Sequence, residues 1–442
     1  MRALARCGLV LVGVLSGCAA RADGPQFTAI QLRADLAQLD RALHDMPADL
    51  AHSADVPRLE RAIHDMDAAL ANSPPLDRDA AWRLFATLNP LLADGHLFVG
   101  FLDWRGETRA HLAAGGTLFP FEMRVNATCE LRVRSRLGGS ATELAGLALR
   151  RVNGISAGTI CERMLARAHG DTREFRADLV SRRFWFYYWK VFGTPADYEI
   201  EFAVPQDARK IPGSAQLPQL LADETAFERQ FQLQIVGRSA VLKLGTFAWP
   251  DQAQLLDFTR AAFTKIRAAG VHTLIVDLRD NGGGNDEGWV DGVMPYIAAR
   301  PFRIGSRLRK RVVVADPARN EQLGNVVDRP VEDWFPARLK EPLRFKGRVY
   351  VVVGAGTYSS AVVMSNVMQD FGFGWIAGRG DSVRTRQSGG ARRTTLTNSG
   401  LIVVTPRFVL TRPSGSAEPS YLTPDILLDD SLAPEELWRL LP

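Results

Sequence analysis

Three short segments hold the residues whose types could break and make covalent bonds. In Thr357-Tyr-Ser-Ser-Ala361, two adjacent hydroxyls follow a β-branched run and a glycine turn, Val349-Tyr-Val-Val-Val-Gly-Ala-Gly356. That order predicts a helix from about 359 to 371 with Ser359 and Ser360 at its start. Serine in that place caps orphan N–H groups. The positive potential of a helix start also suits a nucleophile that develops negative charge, and both roles stay open here. In Leu274-Ile-Val-Asp-Leu-Arg-Asp-Asn-Gly-Gly-Gly284 a strand ends in three glycines, which allow positive φ and close backbone approach. Such a bend can aim neighbouring amides at one oxyanion, and it can equally be a plain loop. The third segment is Asp94-Gly-His96, where a histidine follows a helical stretch in a glycine turn. Histidine titrates near neutrality, so it can take a proton and give it back, and at this place it can equally be a loop histidine with no role.

These segments are far apart in the chain, so the elements between them must bring them together. At 442 residues and 46% hydrophobic composition the chain can build about two or three domains. From 19 to 96 the pattern is helical: Leu32, Leu36, Leu39 and Leu43 recur at helical spacing, as do Leu59, Ile63 and Met66. The related stretches LDRALHDM (39–46) and LERAIHDM (59–66) predict two packed helices. His44, His52 and His64 fall there without the tight clustering of a metal site. From 97 to 205 short strand-like runs alternate with glycine turns, and Asn153-Gly154 separates a strand from a helix. The run Phe184-Trp-Phe-Tyr-Tyr-Trp189 reads as packing between domains or as an apolar wall. A polar, proline-containing linker is expected over 206–230. From 231 to 442 uninterrupted apolar strands alternate with helices, which implies an α/β layer covered on both faces.

Residues 1–18, MRALARCGLVLVGVLSGC, combine a basic start with an apolar run much shorter than the ~20 residues a membrane-spanning helix needs. This is an export signal. Its last four residues resemble a bacterial lipobox, which implies acylation of Cys18 and a mature chain tethered to the cell envelope. Ala19 after the cysteine resembles default sorting to the outer membrane, facing the periplasm. With Cys7 removed and Cys18 lipidated, Cys129 and Cys161 remain in a compartment that permits a disulfide. Neither has metal-ligand spacing, so no metal is expected. The net charge of +5 is spread without a dense basic block and gives no support for nucleic-acid binding.

Taken together, D-G-H at 94–96, L-I-V-D-L-R-D-N-G-G-G at 274–284, T-Y-S-S-A at 357–361 and T-P-D-I at 423–426 resemble the tail-specific protease superfamily. That superfamily includes the C-terminal-processing and tricorn-core serine peptidases. The resemblance implies a crotonase-like α/β core over 231–442, behind an N-terminal helical domain and a PDZ-like or unrelated α+β middle domain. It makes Ser359 the nucleophile with Ser360 as fallback, and the amides of Gly283 or Gly284 and Ser360 the oxyanion hole. One departure matters. The processing peptidases use a lysine as base, but no lysine follows Lys346, and the corresponding stretch 378–387 offers Arg379, Arg384 and Arg386. Arginine cannot accept the serine proton. The histidine branch of the superfamily then implies His96 as base, oriented by Glu418, with Glu287, Asp381 and Asp425 as competing carboxylates. The expectation is a lipid-anchored hydrolase that cleaves polypeptides by acyl transfer without cofactor. The alternative is a non-catalytic scaffold on the same core that binds peptides or apolar ligands.

Overall fold

The computed structural model describes residues 24–204, 208–429, 432 and 434–441. The leader, with Cys7 and Cys18, lies outside these residues. The C-terminal part is built on a six-stranded sheet in the order Ile426–Leu427, Trp375–Gly378, Arg348–Val353, Thr273–Asp277, Ser239–Leu244, Phe231–Val236. All neighbours are parallel except the hairpin Phe231–Val236/Ser239–Leu244.

Side chains along a strand alternate between faces, and here both faces are covered. Leu274 and Val276 point into a cluster with Leu255, Phe263, Met364 and Val367 from the helices Gln252–Ala268 and Ser360–Asp370. Ile275 points the other way, with Tyr350 and Val352, against Leu437 of the helix Pro434–Leu440. The continuous apolar runs are therefore what a doubly covered sheet requires, and each buried Val, Leu or Ile contributes roughly 1.5–3 kcal/mol. Among the described residues no helix is long and apolar enough to cross a membrane.

The N-terminal helices form as their spacing predicts. Ala29–Asp45 starts with a Thr28/Gln31 capping box, and Val56–Leu70 is capped by Asp55 with proline in its first turn. The division at 96/97 is corrected, because a single buried cluster runs from Phe27 to Leu221 and takes in Leu396, Leu401 and Val403. Its aromatic centre is the helix Phe184–Phe192, with Trp185 and Tyr188 buried, so the aromatic run is packing and not a wall open to ligand. The strand Phe98–Phe101 pairs antiparallel with Leu401–Thr405, which ties the middle region to the end of the chain.

The stretch 206–230 is also not a free linker. Ala208–Pro212 extends the sheet beside Asp197–Phe202, and two short helices follow, Gln219–Asp223 with Leu221 fully buried and Phe227–Gln230. Its prolines and polar residues mark turns between short elements. The Asn153-Gly154 turn joins Leu149–Val152 to Ile155–Ser156 with φ of 48° and 76°, directly before the helix Ala157–Leu165. Cys129 and Cys161 form a disulfide with a Cα–Cα separation of 5.5 Å.

Candidate active site

Thr273–Asp277 and Arg348–Val353 run in register, with Asp277 beside Val352. The loops leaving their C-terminal ends share one rim of the sheet, where open α/β sheets place their sites. Side chains stitch these loops together. The Thr357 hydroxyl donates to Leu278 O (2.8 Å) and accepts from Gly354 N–H (2.9 Å), and Tyr358 N–H donates to Asn281 O (2.9 Å). Buried Asn281 donates to Leu244 O (2.9 Å) and accepts from Gly283 N–H (2.8 Å). At Gly283 a Cβ would stand 2.6 Å from Ser359 Cβ, so only glycine lets the two loops approach this closely.

Ser359 ends the second loop with φ +52° and ψ −124°, a strained conformation for a residue with a side chain. It is the one residue from Val349 to Met368 that is not buried. Its N–H donates to Gln387 Oε1 (3.0 Å), while its hydroxyl makes no hydrogen bond among the described residues. Ser360, by contrast, is buried. Its hydroxyl donates to Asp286 and accepts from Trp289 Nε1 (3.0 Å). Ser359 is thus the hydroxyl available for chemistry, and Ser360 is an internal tie.

The D-G-H turn packs against the residue before Ser359. Gly95 N–H donates to the Tyr358 hydroxyl (2.8 Å), and a Cβ on Gly95 would lie 2.6 Å from that ring. The His96 and Tyr358 rings are 4.9 Å apart. His96 Nδ1 is 3.0 Å from Ser388 Oγ, which donates to Asp94 Oδ1 (2.8 Å), and the direct Nδ1–Oδ1 separation is 3.9 Å. Adjacent residues therefore touch the two reactive candidates, Gln387 at Ser359 and Ser388 at His96. His96 and Ser359 make no hydrogen bond to each other among the described residues.

Protonation follows from this geometry. Asp94 is almost fully buried, which pushes its pKa up. The neighbouring His96, the Ser53 hydroxyl (2.6 Å) and His96 N–H (2.7 Å) outweigh burial and hold the carboxyl below its usual range. Facing a carboxylate, Ser388 must donate to it and accept from His96. This assigns the proton to Nδ1 and leaves the Nε2 lone pair free. Burial also lowers the His96 pKa, opposed by Asp94, so the ring is neutral at pH 7.

Other expectations change. Glu418 is not brought to His96: it is exposed, and its carboxylate accepts from Ser420 N–H (3.0 Å) and the Ser420 hydroxyl (2.9 Å). The ring is served by Ser388 and Asp94 instead. Of the competing carboxylates, Glu287 accepts from Asn285 (3.1 Å) and Asp425 from Ile376 N–H (2.8 Å). The Gly283 amide is also withdrawn from the oxyanion hole because Asn281 occupies it. The N–H groups of Gly284 and Ser360 make no hydrogen bond among the described residues.

Asp171 was missed. It lies between the helices Ala157–Leu165 and Arg173–Arg182, and its carboxylate accepts from Gly95 N–H (3.2 Å), the Tyr358 hydroxyl (2.8 Å) and Arg384 N–H (2.8 Å). Nothing in Ala168-His-Gly-Asp-Thr172 announces that role. Among the described residues no group of three His, Cys, Asp or Glu could hold a metal ion.

Comparison with known proteins bears on the family and the fold. Residues 238–428 match the model of peptidase family S41. No curated protein sequence matches. Among solved structures, mature CPAF aligns with a TM-score of 0.64 at 13% identity, covering 90% of this chain and 93% of that one. Mature CPAF complexed with lactacystin aligns at 0.65 and 12%, covering 90% and 94%. At such identities the likeness is one of fold. With the matched segment spanning the glycine bend and the strained serine, the C-terminal core belongs to the tail-specific protease superfamily and is that of a serine peptidase.

Proposed function

We propose that Ser359 and His96 hydrolyse peptide bonds by acyl transfer, with Asp94 acting on the imidazole through Ser388. The observation that carries this is a strained, incompletely buried serine held by Gln387, with the adjacent Ser388 holding an imidazole whose ring lies 4.9 Å from that of Tyr358, the residue before the serine. Ser359 Oγ attacks the carbonyl carbon and His96 Nε2 takes its proton. The N–H groups of Ser360 and Gly284 receive the oxyanion. His96 returns the proton to the leaving nitrogen as the C–N bond breaks, and water then hydrolyses the ester by the same relay. Catalytic hydrogen bonds in a ligand-free site are commonly loose and tighten around substrate.

The leader supports an exported lipoprotein anchored at Cys18 in the outer membrane. The Cys129–Cys161 disulfide is compatible with such an oxidising compartment. The test is fluorophosphonate labelling together with hydrolysis of casein-derived peptides. Both should be lost in Ser359→Ala and His96→Ala and kept in Ser360→Ala, and labelling of Ser359→Ala at the wild-type rate refutes the assignment. Cys18→Ser should move the protein from the membrane fraction to the soluble one.

A further inference from the structure

Behind the imidazole, one hydroxyl stands between two buried carboxylates. Tyr358 Oη lies 2.8 Å from Asp171 Oδ1 and 3.2 Å from Asp94 Oδ1, and it has a single proton to give. The charged and titratable groups facing this pair are known from each element around it. Arg384 approaches Asp171 from the loop before Gln387, at 3.9 Å. His96 and His52 act on Asp94 from the D-G-H turn and from the short helix Leu50–Ser53, and Arg384 and Arg386 act on His52.

Building on the hydrolase assigned above, we infer that Asp171 is a positioning residue that sets, through Tyr358, how much of the Asp94 carboxylate is available to the Ser388–His96 relay. When Asp171 is ionised, it accepts the Tyr358 proton and leaves Asp94 to Ser388. When Asp171 is protonated, its own O–H donates to Tyr358 Oη, and the Tyr358 proton turns to Asp94. The charge of Asp94 is then partly satisfied, and the imidazolium that must form at His96 loses support. One proton is gained at Asp171 and one hydroxyl reorients; no covalent bond changes. Burial, and next the charge of Asp94, push the Asp171 pKa up to about 6, with Arg384 opposing. The change at Asp171 therefore falls on the acid side of neutrality, the side to which burial also displaces His96.

Two inactivating protonations, one at His96 and one at Asp171, steepen the acid limb of a rate profile beyond what either gives alone. The second-order rate of fluorophosphonate labelling should fall below pH 6 with a slope above one in log rate against pH for wild type. The slope should return to one in Asp171→Asn and in Tyr358→Phe, with Asp171→Glu recovering part of the steepness. A second readout does not need activity. In the Ser359→Ala background, the His96 ring titration followed by NMR should move down by on the order of one unit when Asp171→Asn is added, because a nearby negative charge is lost. Circular dichroism melts identify any variant that fails to fold. An unchanged His96 midpoint, or a wild-type slope retained in both folded variants, overturns the inference. Wild-type protein that never labels refutes the hydrolase itself, while the NMR arm still decides the coupling.

Discussion

Ser388→Ala isolates the relay more cleanly than any change to His96. Ser388 is buried, and its hydroxyl is the acceptor for His96 Nδ1–H at 3.0 Å and a donor to Asp94 at 2.8 Å. A hydrogen bond to a charged group is worth about 1.5–3 kcal/mol, and the imidazolium is charged only while the reaction proceeds. At 1.4 kcal/mol per factor of ten, turnover should drop roughly 10- to 150-fold. KM should change little, because the lost interaction strengthens only in the transition state. The loss stays short of that expected for His96→Ala, since Asp94 Oδ1 remains 3.9 Å from Nδ1. A second signature has a definite sign. Without its partner the imidazolium is less stable, so the acid limb should move to lower pH while the plateau falls. Steady-state peptide hydrolysis between pH 5 and 9, with Ser388→Thr as the hydroxyl-retaining control, measures both effects. Wild-type turnover and an unmoved acid limb in a folded Ser388→Ala protein would show that the ring is not held through this serine.

Three further outcomes are expected. Ser360→Ala should keep labelling but unfold at lower temperature, because Asp286 and Trp289 lose a buried partner at a cost of about 1–3 kcal/mol. Gly95→Ala should lose most activity while the protein remains folded, since its Cβ would meet the Tyr358 ring at 2.6 Å and push the D-G-H turn from the serine; comparing melting curves with labelling rates separates these effects. Glu418→Ala should alter peptide hydrolysis by less than about twofold, as an exposed surface substitution does, and a large loss would restore this residue to the mechanism.

What could be read from residue order was local. The run Leu274–Val276 and the glycine turn before Ser359 declare a buried strand and a strand–turn–helix within a dozen residues, and both are present. The choice between Ser359 and Ser360 could not be local, because it depends on Asp286 and Trp289, which lie some seventy residues away and claim one hydroxyl. The carboxylate at His96 was misjudged for a related reason. Glu418 had a suitable type and position in the order of motifs, yet direction is set by tertiary packing, and the turn from Asp94 to His96 folds back on its own first residue. The stretch 378–387 offers only arginines in place of a base, whereas its contribution is the amide of Gln387, with the hydroxyl of Ser388 next to it. Asp171 belongs to a region with no chemical motif at all, and only its three donors reveal it.

The residues of the proposed relay and those that position it are distributed so that no single stretch of chain owns them: His96 comes early in the sequence, Asp171 in its first half, Ser359 and Ser388 toward the end. A ribosome-bound intermediate carrying the imidazole has nothing to activate, and a detached C-terminal fragment has a hydroxyl without its proton acceptor. On the proposed mechanism the site is assembled only when the segment carrying Ser359 and Ser388 packs against the D-G-H turn.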